Sequence, residues 1–328
     1  GLLFFFKYYN FFASNVNYGT DVGLPIITDI VLPVGISFYT FQTISYSLDV
    51  YYNRLKAEKH LGYFALYVSF FPQLVAGPIE RYSNLVPQFK QKLNLSYENF
   101  SNGFRQILFG LFTKMVIADN LSGIVDGVFE EPLKYSSFDL LLSTFFHSFQ
   151  IYGDFFGYSI IAIGSARLLG IRLMENFKTP YLSKNMAEFW QRWHISLSTW
   201  LRDYVYFPMG GNRVSMFKWT LNIMVVFIVS GLWHGANWTF IFWGTLLGIV
   251  YLIEKQISKV ITLGSNLLVN SFLIVKTFVI ISIIRVFFRS TSIENAFVFL
   301  EHIFNFSRTS DLEIVIPNFL WVMLALFI

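Results

Sequence analysis

The chain alternates long apolar runs with short polar connections, a pattern that predicts helices rather than strands. Trp219 to Ile253 holds 35 residues without a formal charge. As one straight helix it would run roughly 50 Å, against a hydrocarbon core of about 30 Å, so it must be two spans or one strongly broken one. Gly231, Gly235 and Asn237 mark the break, and His234 sits in it. Ile30 to Leu48 is a second uncharged span, broken near its start by Pro33 and Gly35. Leu61 to Ile79 is a third, but Pro72, Gly77 and Pro78 predict that its helix ends early and turns back at the interface. Such broken or re-entrant segments survive at membrane depth only where protein or a water cavity satisfies the backbone.

The remaining runs are more ambiguous. Ser101 to Ala118 reads as a helix, yet Arg105 and Lys114 leave a short uncharged core that spans only if both side chains snorkel. Asp119 to Lys134 reads as loop. Phe138 to Gly170 is two helices or one long bent helix, with Gly153 and Gly157 as the weak points. Val260 to Val275 and Thr277 to Phe288 are separated by Lys276, and Arg285 interrupts the second. Ile293 to Phe304 is a short amphipathic piece inside a polar stretch that runs from Ser290 to Asp311. Asn15 to Gly23, Asp49 to His60, Ser83 to Asn99 and Arg172 to Lys184 read as connections. Gly1 to Phe12 and Pro317 to Ile328 are apolar and uncapped, so both ends read as cut from a longer protein, and residues 1–328 as one domain.

Composition narrows this to an all-α, polytopic membrane protein. The chain is 55% hydrophobic, 20% aromatic and 13% charged, with mean hydropathy +0.53. A soluble domain carries about 25% charged residues, and a soluble core of this size cannot bury 39 Phe and 18 Tyr. The net charge of +4 fits basic residues gathered in cytoplasmic loops, not nucleic-acid binding. With no cysteine and no His-Glu-x-x-His, no metal site is expected, and P-loop, dinucleotide and Gly-x-Ser-x-Gly patterns are missing from the sequence.

The chemistry gathers between Phe189 and Trp238. On a 100° wheel Trp190, Trp193, Leu197, Trp200, Leu201 and Tyr204 share one face, with Gln191, Arg192, Ser196, Ser198, Thr199, Arg202 and Asp203 on the other. This predicts an interfacial helix, and five Lys/Arg between Lys184 and Lys218, against Glu188 and Asp203, favour the cytoplasmic side. His194, at the edge between the faces, is either solvated or aimed inward. His234 is sharper. A titratable imidazole in an apolar run is costly, and a neutral one can take a proton from a hydroxyl; the plainer reading is a hydrogen bond to a facing carbonyl. Asp154 either orients a histidine, pairs with an arginine or makes a structural bond between helices. His147 reads as a packed polar residue. The turn Gly210-Gly211-Asn212-Arg213 either cradles a phosphate through its N–H groups or is an ordinary tight turn.

Taken together, several segments resemble the membrane-bound O-acyltransferase family, in particular its bacterial alginate O-acetylation branch. They are Pro33 to Gln42, Phe71 to Tyr82, Phe177 to Tyr181 with Phe189 to Arg213, Ser230 to Trp238, and Phe287-Phe288-Arg289-Ser290. The resemblance implies a bundle of tilted and broken helices around a tunnel, with interfacial and re-entrant helices, in the bacterial inner membrane. It maps the family's key histidine, within Trp-His-Gly, onto His234, and a second, within Arg-Trp-His-Ile-Ser-Leu, onto His194. It implies transfer of an acyl group, acetyl foremost, from a cytoplasmic thioester (acetyl-coenzyme A or an acyl carrier) toward an exported polysaccharide, through an extracytoplasmic partner protein, with no bound cofactor. Arg202 and Arg213 become candidates for donor phosphates. Trp193, Trp233, Asn237 and Asp154 complete the candidate substrate- or donor-binding set. The family pattern around Asp154 departs here, with Phe156 and Ile160 where a small residue and a second acid are expected. The rival readings are a D-alanyl or peptidoglycan acyltransferase of the same fold, a transporter without chemistry, and a scaffold.

Overall fold

The computed structural model describes residues 1–305 apart from 75–76, 94, 262–263 and 265, so Pro317 to Ile328 lie outside the described residues. Among those described there is no strand. A π-helical turn, Phe4–Tyr8, leads into α1 (Tyr9–Gly19). Then follow α2 (Ile36–Tyr51), α3 (Leu61–Ser69), the single turn α4 (Phe71–Leu74), α5 (Tyr82–Phe89), α6 (Tyr97–Leu111), α7 (Asp119–Glu130) and α8 (Ser137–Leu168). The second half holds α9 (Met186–Arg192), α10 (Ile195–Leu201), α11 (Met216–His234), α12 (Trp238–Val260), α13 (Leu267–Arg289) and α14 (Ile293–Phe304). Among the described residues, four helical stretches are long and apolar enough to cross a membrane: Tyr97–Glu130, Met216–His234, Trp238–Val260 and Leu267–Arg289. The break expected between Trp219 and Ile253 falls at Gly235–Asn237, and α14 has the bounds read from its amphipathic pattern.

Side-chain caps set half of the helix starts. Ser96, Asn185, Ser215, Asn237, Asn266 and Ser292 each accept a backbone N–H from the first turn. Ser136 and Asp139 form a reciprocal capping box that opens α8. Gly35, at φ 75°, is the left-handed residue that lets α2 begin just after Pro33.

Two expectations fail for identifiable reasons, and a third resolves to one of its two readings. Asp119 to Lys134 is largely helix, because α6 runs on through a π-helical segment, Phe112–Ala118, into α7. The charges that looked like loop are paired: Lys114 bonds both Asp119 and Asp154, the latter at 2.9 Å, rather than snorkelling. Phe138 to Gly170 is one helix of 32 residues, and its glycines are contact points rather than breaks. A Cβ on Gly157 would lie 2.9 Å from the Gly110 carbonyl oxygen, and one on Gly110 would lie 2.7 Å from the Gly157 carbonyl oxygen, so the α6 and α8 backbones cross in contact. Lys276 and Arg285 do not divide α13 either; Lys276 pairs with Glu254 of α12.

Apolar residues face outward as well as inward. On α12, Ile249, Ile253 and Ile257 are exposed at helical spacing, while Trp243, Gly244, Leu247 and Gly248 are buried. This suits a lipid-facing surface, where small residues rather than large ones mark the helix contacts. The main core joins α8, α9, α11, α12, α13 and α14 around Trp193, Phe227 and Trp243. Below it, Glu80 is buried and accepts hydrogen bonds from Asn84 and from the Met174 N–H, tying the turn before α5 to the loop after α8. Burial pushes the Glu80 carboxyl pKa up, and these bonds oppose the shift.

Candidate active site

Phe189 to Tyr206 is not one amphipathic helix. It breaks at Trp193-His194, where His194 adopts φ 43°. The result is a helical hairpin with His194 at its tip. The first arm starts where the Met186 N–H bonds Glu254 and continues past Phe227 and Trp243, against which Trp190 packs. The second arm returns through Trp200, whose ring stacks on Phe41 at 4.0 Å, to Tyr206, whose hydroxyl accepts from Trp219 Nε1. The wheel assigned Ser196 to a solvent face, but Ser196 and His194 are both buried.

Asn176 holds the tip in its left-handed conformation. Its carbonyl accepts the Ile195 N–H at 2.9 Å, and its Oδ1 accepts from Ser196 Oγ at 2.7 Å and from the Ser196 N–H at 3.3 Å. His194 Nδ1 lies 3.4 Å from the same oxygen. That oxygen already takes a backbone N–H, so Nδ1 is the donor and Nε2 carries the free lone pair. His194 Nε2 is buried without a protein partner. Burial among aromatic rings favours the uncharged imidazole at His194. Asn176→Ala removes the acceptor shared by Ser196 and His194. We expect a loss of about 2 kcal/mol in stability, read as a lower unfolding temperature in detergent, with transfer activity falling further than that loss accounts for.

His234 ends α11. Trp233, Trp243 and Phe288 surround its ring at 4.9, 5.3 and 5.3 Å. It lines a cavity of about 40 Å³ with Trp190, Trp193, Trp243 and Arg285. Trp190 is also a wall of a larger cavity, about 410 Å³, between the hairpin and α11. That cavity reaches Ser230 and carries Arg202 and Tyr206 on its lining. The indole N–H groups of Trp190, Trp233 and Trp243 are buried with no protein acceptor. Buried donors in a finished fold are nearly always paired, so a cluster of unpaired ones around one histidine marks a place where a ligand's oxygens can be received.

The sequence-derived candidates separate under this geometry. His234 and Trp193 line the small cavity. His194 does not; its ring packs edge-on against Phe155 at 4.6 Å and lies 5.8 Å from Trp233, whose ring also contacts His234. Arg202 lines the large cavity and pairs with Asp203 at 2.8 Å. Asn237 is spent on structure, accepting the Thr239 N–H and donating to the Thr291 carbonyl. Asp154 pairs with Lys114 and lines neither cavity. The Gly210 to Arg213 turn does not present a phosphate cradle: the N–H groups of Gly210, Gly211 and Arg213 donate to Phe207, Tyr206 and Gly210 carbonyls. Arg213 is exposed at the end of that turn.

Three residues that matter here were not singled out from sequence. Asn176 orients the hairpin tip, and its place in a non-spanning polar stretch was the available signal. Arg285 is the second. Lys7 is the third: its ammonium donates to the Trp233 carbonyl and to Ser37 Oγ, and Tyr8 donates to the Leu232 carbonyl at 2.9 Å. Two adjacent side chains thus satisfy carbonyls in the last turn of α11, where a cation also suits the helix dipole. Among the described residues no group of three His, Cys, Asp or Glu side chains could hold a metal ion.

Fold and site define a helical membrane protein with a histidine at an internal cavity between its spans. Comparison with known proteins narrows that class. Residues 57–288 match the membrane-bound O-acyltransferase family, and the chain belongs to it. It is 41% identical over 313 residues to the probable alginate O-acetylase AlgI of Pseudomonas aeruginosa, covering 93% of this chain and 58% of that protein. It is 38% identical over 321 residues to the peptidoglycan O-acetyltransferase of Helicobacter pylori, covering 90% of this chain and 61% of that protein. The teichoic acid D-alanyltransferase of Bacillus subtilis is 30% identical over 261 residues, covering 75% of this chain and 65% of that protein. The chain thus spans less than two thirds of each of these relatives.

Proposed function

We propose that this chain carries the transfer site of a membrane O-acyltransferase. It would move an acyl group, acetyl foremost, from a cytoplasmic thioester toward hydroxyls of an exported cell-surface polysaccharide. The observation that carries this reading is His234 on a cavity that the unpaired indoles of Trp190 and Trp243 also line, with Trp190 shared by the wall of the larger cavity. Arg202 on the wall of the larger cavity, with Lys255 and Lys259 on a neighbouring cavity that shares Tyr206 with it, would receive the donor's phosphates on the cytoplasmic side. A pantetheine-like arm fits a mostly apolar channel of this size. The hairpin then dips from the cytoplasmic boundary, carrying His194 to the depth of Trp233.

The chemistry follows from the two neutral rings. His234 takes the proton of the acceptor hydroxyl as its oxygen bonds to the thioester carbonyl carbon. The tetrahedral adduct collapses, the C–S bond breaks, and the proton passes from His234 to the leaving thiolate. His194, with Nε2 free, orients a second hydroxyl or thiol. The acceptor is alginate-like or peptidoglycan-like, as the names of the two more similar relatives suggest, and an extracytoplasmic protein relays the group. The location is the bacterial inner membrane. The test uses full-length protein in proteoliposomes with radiolabelled acetyl-coenzyme A and soluble alginate oligosaccharide. Acetyl ester formation on the glycan or a relay protein is expected. Label crossing the bilayer as intact thioester, with no ester formed, would mean transport instead.

A further inference from the structure

α13 carries three cations within the described fold, and they are treated differently. Lys276 pairs with Glu254, and Arg289 pairs with Asp126 at 2.6 Å. Arg285, between them, is only 4% exposed, and among the described residues no carboxylate lies within ion-pair distance. Its guanidinium instead lies 4.3 Å from the Trp193 ring centroid, with Tyr181 at 5.4 Å and Phe189 at 5.8 Å, and it donates to the Tyr181 hydroxyl. Aromatic faces hold a guanidinium without neutralising it. A buried cation without a counter-charge is expensive, and such groups in membrane proteins mark sites of function.

The position of the charge suggests its use. Arg285 and His234 line the same cavity of about 40 Å³. That volume has room for a few heavy atoms, an acyl group rather than a sugar ring. We propose that Arg285 stabilises the oxyanion formed at the acyl carbonyl during transfer. When the acceptor oxygen adds to the carbonyl carbon, its proton goes to His234 and the carbonyl π pair becomes a negative charge on oxygen. Arg285 faces that charge across a low-dielectric cavity, where a fixed cation costs no reorganisation at the moment of reaction. When the adduct collapses the pair returns to the carbonyl and the thiolate departs. The neutral thioester gains little from the guanidinium and the charged adduct gains much, so the effect belongs in kcat rather than KM.

This inference rests on the acyltransfer reading, and the experiment separates the two. Full-length wild type, His234→Ala, Arg285→Met and Arg285→Lys are assayed with acetyl-coenzyme A and alginate oligosaccharide, each checked by size exclusion and unfolding temperature. Wild type without acyl transfer overturns the acyltransfer reading and this proposal with it. With wild type active, Arg285→Met is expected to lower kcat by about 10²–10³-fold with both KM values within threefold. Arg285→Lys keeps the charge without the planar fork and is expected to recover at least tenfold over Met. A folded Arg285→Met with kcat near wild type overturns the oxyanion role, as does a loss confined to the acceptor KM, which would point to recognition of an anionic sugar. Should the Met variant not fold, Arg285→Gln takes its place: an unchanged kcat overturns the role, and a tenfold or larger fall at unchanged KM supports it.

Discussion

Replacing His234 by alanine in the full-length protein is expected to lower the acyl-transfer rate by about 10²–10⁴-fold, the usual worth of a positioned general base. The ring is partly exposed, packs in a cage of Trp233, Trp243 and Phe288, and lines the small cavity rather than a packing seam. Its removal therefore enlarges an existing space more than it disrupts a core, and the protein should remain folded. The loss should sit in kcat, because the larger cavity proposed for the thioester is one that His234 does not line. Steady-state kinetics of the purified variant check this. Turnover within a few-fold of wild type by a folded His234→Ala protein would remove His234 from the chemistry.

The second large effect is expected from a single methyl group. A Cβ on Gly231 would run into the Phe240 carbonyl oxygen and stand 3.0 Å from its carbon, backbone atoms that no rotamer change can move aside. Gly244 meets the Phe227 carbonyl in the same way from the other helix, so α11 and α12 touch backbone to backbone one turn before His234. Gly231→Ala must push the helices apart. Overpacking of this kind costs about 1–3 kcal/mol, and a displacement of about 1 Å at a catalytic group can cost 10²-fold in rate. We expect a lower unfolding temperature together with a rate loss of roughly that size. Gly123→Ala is the control: a Cβ there meets nothing within 4 Å, and alanine favours the helix by about 1 kcal/mol. Equal behaviour of the two variants would contradict the close-contact account.

The features legible from sequence were those with a length scale. A 35-residue uncharged run cannot be one span, so membrane thickness required a break, and Gly235 and Asn237 placed it beside His234. Misreadings arose where charge was taken as a sign of water. Lys114, Asp119 and Asp154 satisfy one another, and the helix continues through them. The wheel drawn over residues 190–204 assumed a continuous helix, and a residue in the left-handed region at His194 cannot be seen in a periodicity. Lys7, Asn176 and Arg285 act through partners distant in sequence or through the ring faces of other elements, and no local pattern encodes such contacts. Arg285 was visible as an interruption of an apolar run; its caging by Trp193 required coordinates.

The docking of Lys7 and Tyr8 onto the end of α11 bears on how the site comes into being. Their acceptors lie 226 and 224 residues later in the chain. At a synthesis rate of about 5–20 residues per second, the Trp233 carbonyl follows Lys7 off the ribosome by roughly 11–45 s. Through that interval the ammonium must rest at the bilayer boundary or on a transient partner. Lys7 and Tyr8 therefore dock late, and the last carbonyls of α11 beside His234 gain these partners only after α11 has been made.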